Sequence, residues 1–286
     1  MNTTFDINRF KSLMKYEYVS ESRKMLRTMV GMSLALSVYY CFQVYLHKDA
    51  LIGYATGQVV YSTDYNPIGS LNQRLAMFTF FVCATVAFGA ACSVFKNMLT
   101  KQNRISFLAL PASNLEKFVA RLLWINVTFF LISILAVVIA DAVQALFSLS
   151  TGIGVHGSVV KTFYVMFFEE GEDFRAAGHV YSIWYPRIFV AALYLFAHSS
   201  WTLGGTVFRK YAWLWTAAIQ IAGFAIFVKI TDGDVMLFSW MKEYVDIATF
   251  YWAGVISMCG LAILQYFCSY KVFKRMQVVN NKWVNL

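Results

Sequence analysis

The side chains of this sequence that could do chemistry away from water are a few polar residues inside long apolar runs. His198 and Ser199 lie near the middle of one run, Gln220 is central in another, and Asn126 and Thr128 lie early in a third. Polar groups in hydrocarbon are costly, so they mark either a functional pathway or hydrogen-bonded helix contacts worth ~0.6 kcal/mol on average. Both interpretations stay open, and these five residues are our candidates for lining a polar pathway.

A second group of polar side chains lies in the long connection Phe147–Tyr185. Carboxylates and imidazoles are the side chains that bind divalent cations. The residues concerned are Glu169, Glu170, Glu172, Asp173, His156 and His179. A solvated acidic loop is the more ordinary interpretation, so we predict that this chain holds no metal and binds no cofactor.

The motifs of membrane-embedded and nucleotide-dependent enzymes are missing from the sequence. It contains no H-E-x-x-H, no G-x-S-x-G and no pair of carboxylates within an apolar run, so we predict that the chain is not an enzyme. It also contains no G-x-x-x-x-G-K-[ST] loop that could cradle the phosphates of a nucleotide. Any ATP-driven step must therefore take place on another chain.

The composition indicates that the polar candidate residues lie on helices within a membrane. Of the 286 residues, 59% are hydrophobic and only 14% are charged, and the mean hydropathy is +0.56. A helix that crosses a bilayer needs roughly 17–25 mostly apolar residues. Six runs without Lys, Arg, Asp or Glu meet this condition: Thr28–Leu46, Leu75–Phe95, Leu122–Ala140, Ile188–Phe208, Tyr211–Val228 and Ile247–Tyr270. We predict an all-α, polytopic membrane protein with six transmembrane helices.

The charged residues of the connections predict the orientation of these helices. With six spans, one face carries both termini, 17 of the 24 basic residues and only four acids, for a net charge of +13. The other face carries seven basic and eleven acidic residues, for a net charge of −4. By the positive-inside rule both termini are cytoplasmic, and we predict a multi-pass protein of the plasma (inner) membrane. Insertion into the lipid bilayer accounts for the excess of basic residues without a nucleic-acid partner.

The first 27 residues alternate apolar and basic side chains. Phe10, Leu13, Met14 and Tyr18 follow helical spacing, which suits a helix that lies in the membrane interface with these residues among the headgroups. A frayed basic anchor for the first span is the alternative. The predicted organisation is a cytoplasmic interfacial helix at 1–27, a six-helix transmembrane domain at 28–270 and a cytoplasmic tail at 271–286.

The connection Lys96–Arg121 is more patterned than a simple tether. Pro111 separates two segments because it has no backbone donor and biases the preceding residue away from helix. Ser113 and Glu116 have the spacing of a capping box, which predicts that the third long helix starts at Asn114. Upstream, Lys101–Leu110 is predicted to form a short helix.

Two segments carry a resemblance to a known family. The stretch R-I-S-F-L-A-L-P-A-S-N-L-E-K-F (Arg104–Phe118) resembles the first cytoplasmic loop of ABC-2-type transporter permeases, especially the set in Bacteroidota. The ending S-Y-K-V-F-K-R-M-Q (Ser269–Gln277) is similar to the end of the sixth span in that set. The resemblance implies the six-helix fold of a type V ABC exporter half, with the N-terminal helix as its elbow and a re-entrant element near Asp232–Asp246.

The same resemblance implies partners and a docking segment. Lys101–Leu110 would be the coupling helix that docks on a separate ABC-type ATPase subunit, where ATP binds. The residues assigned to this docking are Lys101, Arg104, Ile105, Phe107 and Leu108. A second permease copy or homologue would complete a dimer.

The expected function is therefore the membrane-spanning permease subunit of an ABC transporter, working as an exporter. The alternative is a non-transporting membrane protein that assembles with or regulates a partner complex. A lipid-modifying membrane enzyme is the third hypothesis.

Overall fold

The computed structural model describes residues 5–57, 67–98, 100–154, 157–168, 174–176, 179–181, 184–208, 210–230 and 247–275. Most of these residues belong to helices. They are α1 (Ile7–Leu46), α2 (Lys48–Ala55), α3 (Pro67–Cys92), α4 (Lys101–Leu108), α5 (Asn114–Ser150), α6 (Val159–Phe168), α7 (Trp184–Val207), α8 (Ala212–Ile230) and α9 (Ile247–Arg275), with a 3-10 turn at Lys96–Met98. Two three-residue strands, β1 (Phe174–Ala176) and β2 (His179–Tyr181), pair antiparallel with Phe174 opposite Tyr181.

Five of these helices are long and apolar enough to cross a membrane: α1, α3, α5, α7 and α9. This confirms the prediction of a helical, multi-pass membrane protein. Each of the six predicted apolar runs lies mainly on one helix, although Leu75–Phe95 extends three residues beyond the end of α3 at Cys92. The run Tyr211–Val228 lies on α8, whose apolar stretch Ala212–Ile226 is too short to count with the other five as a membrane-crossing helix.

Helix α1 continues without a break from Ile7 to Leu46, so no helix end separates an elbow from the first span near residue 27. Its 40 residues correspond to a rise of about 60 Å, twice the ~30 Å of a bilayer's hydrocarbon core. The helix is therefore long enough to include both a membrane-crossing part and an N-terminal extension outside the hydrocarbon.

Three apolar residues of this extension pack on protein. Leu13 is buried with Ala112 and Ala120, and Phe10 and Met14 pack against the same cluster. The sequence prediction placed these side chains, together with Tyr18, among lipid headgroups. Tyr18 is exposed, but Leu13 is covered because Ala112 and Ala120, just before and within the start of α5, offer an apolar surface.

By its contacts the chain divides into two compact units. One contains Met1–Lys15, Ala87–Asn126 and Glu172–Leu286, and the other contains Tyr16–Val86 and Val127–Gly171.

The core of the second unit is made by residues of α1, α3 and α5. Leu36, Leu75 and Ala136 are fully buried there. Tyr40 and Thr79 share a buried hydrogen bond of 2.5 Å between their hydroxyl oxygens. This bond satisfies the Tyr40 hydroxyl in an apolar core, while the Thr79 hydroxyl also donates to the Leu75 carbonyl at 2.7 Å.

In the same unit, Asp141 of α5 caps the start of α6. Its carboxylate accepts hydrogen bonds from the Ser158 hydroxyl at 2.5 Å and from the Val159 backbone N–H at 2.9 Å. A carboxylate stabilises a helix start because the first backbone N–H groups have no partner inside the helix. The residue at the outer end of the predicted third span is thus a tertiary cap.

The first unit holds α7, α8 and α9, and two adjacent glycines bring α7 close to its neighbours. A Cβ atom built on Gly204 would collide with the side chain of Thr216 on α8. One built on Gly205 would collide with the backbone of Cys92 at the end of α3. These positions need glycine because no larger residue leaves room for the neighbouring chain.

Candidate functional site

The segment between α3 and α5, which we call the α4 loop (residues 93–113), has a local structure with defined ends. The hydroxyl of Thr100 accepts the backbone N–H of Asn103 at 3.3 Å and caps the start of α4. At the far end, Ser113 and Glu116 form both bonds of a capping box, at 3.2 and 2.8 Å. Both the short helix and the start of α5 at Asn114 are confirmed.

Three basic residues point into this structure instead of into solvent. Arg104 donates from Nε to the carbonyl of Met98 at 3.1 Å, and Arg121 donates from Nε to the carbonyl of Val94 at 2.8 Å. Lys117 donates from Nζ to the carbonyl of Leu108 at 2.7 Å.

All three basic residues are buried, and their acceptors share a position in the chain. Each accepting carbonyl belongs to a residue at or just after a helix end: the end of α3, of the 3-10 turn and of α4. Helix ends leave carbonyls without a partner and carry a partial negative charge, which cations stabilise. The α4 loop is therefore folded around Arg104 and two basic residues of α5, Lys117 and Arg121.

Glu116 connects the loop to the beginning of the chain. Its side chain is fully buried, and its carboxylate accepts the Asp6 backbone N–H at 2.7 Å, Arg9 Nη2 at 3.0 Å and the Ser113 backbone N–H at 2.8 Å. A buried carboxylate is stable when hydrogen bonds satisfy its charge, as they do here. The first turn of α1 and the start of α5 are held by one side chain.

Asp6 completes this connection by capping α1. Its carboxylate accepts the backbone N–H of Asn8 at 2.7 Å and that of Arg9 at 3.4 Å. These two backbone hydrogen bonds, that of Asn8 first, hold the pKa of Asp6 below its usual range. The carboxylate that caps the helix is therefore ionised near neutral pH.

A cluster of aromatic rings supports the α4 loop. Phe273 of α9 stacks on Phe95 with ring centroids 4.9 Å apart and meets Phe107 of α4 edge-on at 6.5 Å. Phe118 of α5 lies 5.8 Å from Phe95 and 5.5 Å from Tyr270. The last turns of α9 thereby contribute to the base on which α4 rests.

The structure sorts the five predicted docking residues onto two faces of α4. Arg104 and Phe107 are buried and Leu108 is half-buried, whereas Ile105 is 45% exposed. Lys101 is the first residue of α4, and its side chain lies outside the described residues.

The outer face of α4 is formed by Gln102, Asn103, Ile105 and Ser106, which are all exposed. The sequence interpretation did not separate the faces. The spacing of Arg104, Phe107 and Leu108 at i, i+3 and i+4 is the signal that marks the inner one.

Two of the five predicted pathway residues are brought together between α7 and α9. His198 is only 3% exposed, and its Nδ1 lies 2.7 Å from the Tyr266 hydroxyl. Ser199 and Ser200 both donate to the side-chain oxygen of Gln265, at 2.5 and 3.1 Å. Sequence analysis missed Gln265 and Tyr266, although a glutamine inside an apolar run is the same kind of signal as the one that singled out Gln220.

The other three pathway candidates are placed separately. Asn126 donates to the carbonyl of Leu122 at 2.8 Å, within its own helix. Thr128 is half-buried on α5, and Gln220 is half-buried on α8.

Replacing Gln265 with leucine is expected to lower the free energy of unfolding by about 1 kcal/mol, since bonds between membrane helices average ~0.6 kcal/mol and two are lost. Thermal unfolding of the purified protein in detergent measures this change. A variant as stable as the wild type would show that the two serine bonds add nothing to the packing of α7 on α9.

Most of the acidic residues and histidines singled out as a cation site lie outside the described part of the chain. Glu169, Glu170, Glu172, Asp173 and His156 are outside the described residues, and so is the proposed re-entrant element of residues 232–246. In the described part of the chain, no three or more His, Cys, Asp or Glu side chains are grouped closely enough to hold a metal ion.

Comparison of this chain with family models, with curated proteins and with solved structures finds no match.

Proposed function

We propose that this chain is the membrane-spanning permease subunit of an ABC exporter, driven by a separate ATPase subunit that docks on the outer face of α4. The observation that carries the proposal is the structure of the α4 loop. A short helix is capped at its start, anchored by buried cations and left with one face exposed. A simple connection between two membrane helices needs none of these features.

A second observation supports the same function. The two segments that resemble ABC-2-type permeases, Arg104–Phe118 and Ser269–Gln277, are more than 150 residues apart in the sequence. In the structure they contact each other through Phe107, Phe118, Tyr270 and Phe273. Contact between these segments is what a shared structural role would require.

The proposed architecture is a type V half with six spans, α8 being the fifth, and with both termini in the cytoplasm. The charge difference between the two faces supports this orientation. The N-terminal part of α1 would serve as the elbow and, through Glu116, move together with the α4 loop. A second permease copy or homologue would complete the pathway.

Replacing Ile105 with aspartate is expected to reduce co-purification of the ATPase subunit at least tenfold. The change replaces the apolar side chain at the centre of the outer face with a charge, without touching the buried side of α4. The ATPase subunit, encoded beside this chain or captured with it, is quantified after affinity purification of the tagged permease.

Leu115 provides the matched control, because it is 44% exposed but belongs to the first turn of α5. Leu115→Asp is expected to retain the ATPase, since an acid is also favourable at a helix start. Equal binding by the Ile105→Asp variant and the wild type would refute docking on α4. A stable complex whose ATPase rate is unaffected by the permease would favour the non-transporting alternative.

A further inference from the structure

The side of α1 that faces away from the protein core forms one continuous stripe. The exposed residues recur every three or four positions, which places them on the same side of a helix. We call them the α1 outer stripe: Val19, Arg23, Arg27, Val30, Leu34, Val38, Phe42 and Tyr45. From Val30 onwards the stripe contains no charge, and Val38 is 68% exposed.

This apolar part of the stripe belongs to the membrane-crossing part of α1. Its opposite side is buried, with Leu36, Tyr40 and Val44 in the core. Exposed apolar side chains on a membrane-crossing helix face the acyl chains of lipids. The stripe therefore identifies which side of α1 is turned to the bilayer.

Arg27 and Arg23 continue the lipid-facing stripe beyond its apolar end. They precede Val30 by three and seven residues, which corresponds to about 4.5 and 10 Å along the helix axis. The polar headgroup region adds roughly 5–7 Å to each side of the hydrocarbon core. The guanidinium group of Arg27 thus belongs at the level of lipid phosphates, on the side where lipids lie. Arg23 lies one helical turn further out on the same side, and its long, flexible side chain can reach back to the same headgroup region.

The carboxylates of this segment are on the other side of the helix. Glu17 and Glu21 are both buried, and Lys24 pairs with Glu21 at 3.0 Å. Neither Arg23 nor Arg27 makes a hydrogen bond or ion pair within the described part of the chain. The acids are turned to the protein and the two arginines to the lipid.

We propose that Arg23 and Arg27 bind the phosphate of an anionic lipid headgroup where α1 enters the bilayer. Guanidinium groups bind phosphate oxygens through two parallel hydrogen bonds, and basic residues next to a span attract anionic lipids. The inference does not depend on the permease function, because it rests on the exposed side of α1 alone.

The test titrates the purified full chain with phosphatidylglycerol and with phosphatidylcholine and counts the bound lipids by native mass spectrometry. The wild type is expected to prefer phosphatidylglycerol. The R23Q/R27Q variant is expected to lose about tenfold in affinity for that lipid and little for phosphatidylcholine.

The matched control is K24Q/K48Q, which also removes two exposed positive charges but lies off the stripe. It should retain the preference. An equal loss of phosphatidylglycerol affinity in both variants would mean that total charge alone causes the effect, which would overturn the proposal. An R23Q/R27Q variant that binds phosphatidylglycerol as tightly as the wild type would overturn it as well. Displacement of phosphatidylglycerol by inorganic phosphate would overturn the assignment to a lipid.

If R23Q/R27Q fails to fold, as measured by circular dichroism, R23K/R27K replaces it. This variant keeps both charges but cannot form paired hydrogen bonds, so it should bind phosphatidylglycerol more weakly than the wild type. Wild-type affinity in this variant would exclude specific guanidinium binding.

Discussion

The alanine variant of Glu116 is expected to unfold with a free energy lower by about 3 kcal/mol, because three donors lose their shared acceptor in a buried place. The donors are the backbone N–H groups of Asp6 and Ser113 and the guanidinium of Arg9. Arg9 keeps some access to water, with 31% of its side chain exposed, so solvent screening reduces its share of the loss.

Thermal unfolding in detergent measures the total loss, and hydrogen exchange at Asp6 and Ser113 locates it. Glu116→Gln keeps a side-chain oxygen in a group of the same shape, so its free energy of unfolding should fall by less than half as much as that of the alanine variant. Asp49→Ala is the control, since Asp49 is also an acid in the first turn of a helix but is exposed. A similar loss in Asp49→Ala and Glu116→Ala would show that helix capping alone explains the effect.

Replacing Gly205 with alanine is expected to lower the free energy of unfolding by about 2 kcal/mol, in the range measured for overpacked interiors. The added Cβ would lie 2.7 Å from the carbonyl carbon and 2.9 Å from the Cα of Cys92. Carbon atoms in contact normally keep 3.5–4.0 Å between them. The obstacle is backbone, so no rotation of a side chain can relieve the clash, and α7 must shift away from α3.

Gly260→Ala is the control for the change in glycine content. Gly260 lies in α9, and nothing comes within 4 Å of the Cβ that the substitution adds. Alanine favours helix over glycine by up to ~1 kcal/mol, so this variant should be as stable as the wild type or more stable. Thermal unfolding of both variants compares them directly, and equal stability would contradict a close approach at Gly205.

The helices of this protein follow from local properties of the sequence. Charge-free runs of sufficient length predict membrane helices, and five of the six runs lie on helices that are long and apolar enough to cross a membrane. The start of α5 could be predicted to the residue because the capping box of Ser113 and Glu116 is a contact over three positions. Such features depend on neighbours that the sequence places side by side.

Contacts between distant residues could not be predicted in this way. Glu116 is 110 residues from Asp6, and nothing in either segment states that the other will supply a partner. The hydrogen bond between Ser199 and Gln265 likewise joins residues that are far apart in the sequence. Arg104 is the clearest case of a contact that the sequence does not predict. An arginine on a short helix suggests an exposed surface, but its Nε donates a buried hydrogen bond to the Met98 carbonyl.

This burial changes which variants can report on docking. Charge reversal at Arg104 would remove the donor of a buried carbonyl and disturb the fold of the α4 loop. If that variant lost the ATPase subunit, the result would not distinguish an altered docking surface from a misfolded α4 loop. Ile105 is the better choice, since its exposed side chain has no part in holding the loop together.

The inward-pointing cations of the α4 loop and of the start of α5 have a consequence for the order of events during biogenesis. Under the proposed orientation, the nascent segment presents Lys96, Lys101, Arg104, Lys117 and Arg121 as unfolded positive charges that retain it on the side of synthesis. In the folded protein, Arg104, Lys117 and Arg121 point inward and donate to carbonyls at helix ends. With that orientation, the same charges would act twice, first as topological signals for the insertion machinery and later as structural parts of the finished protein.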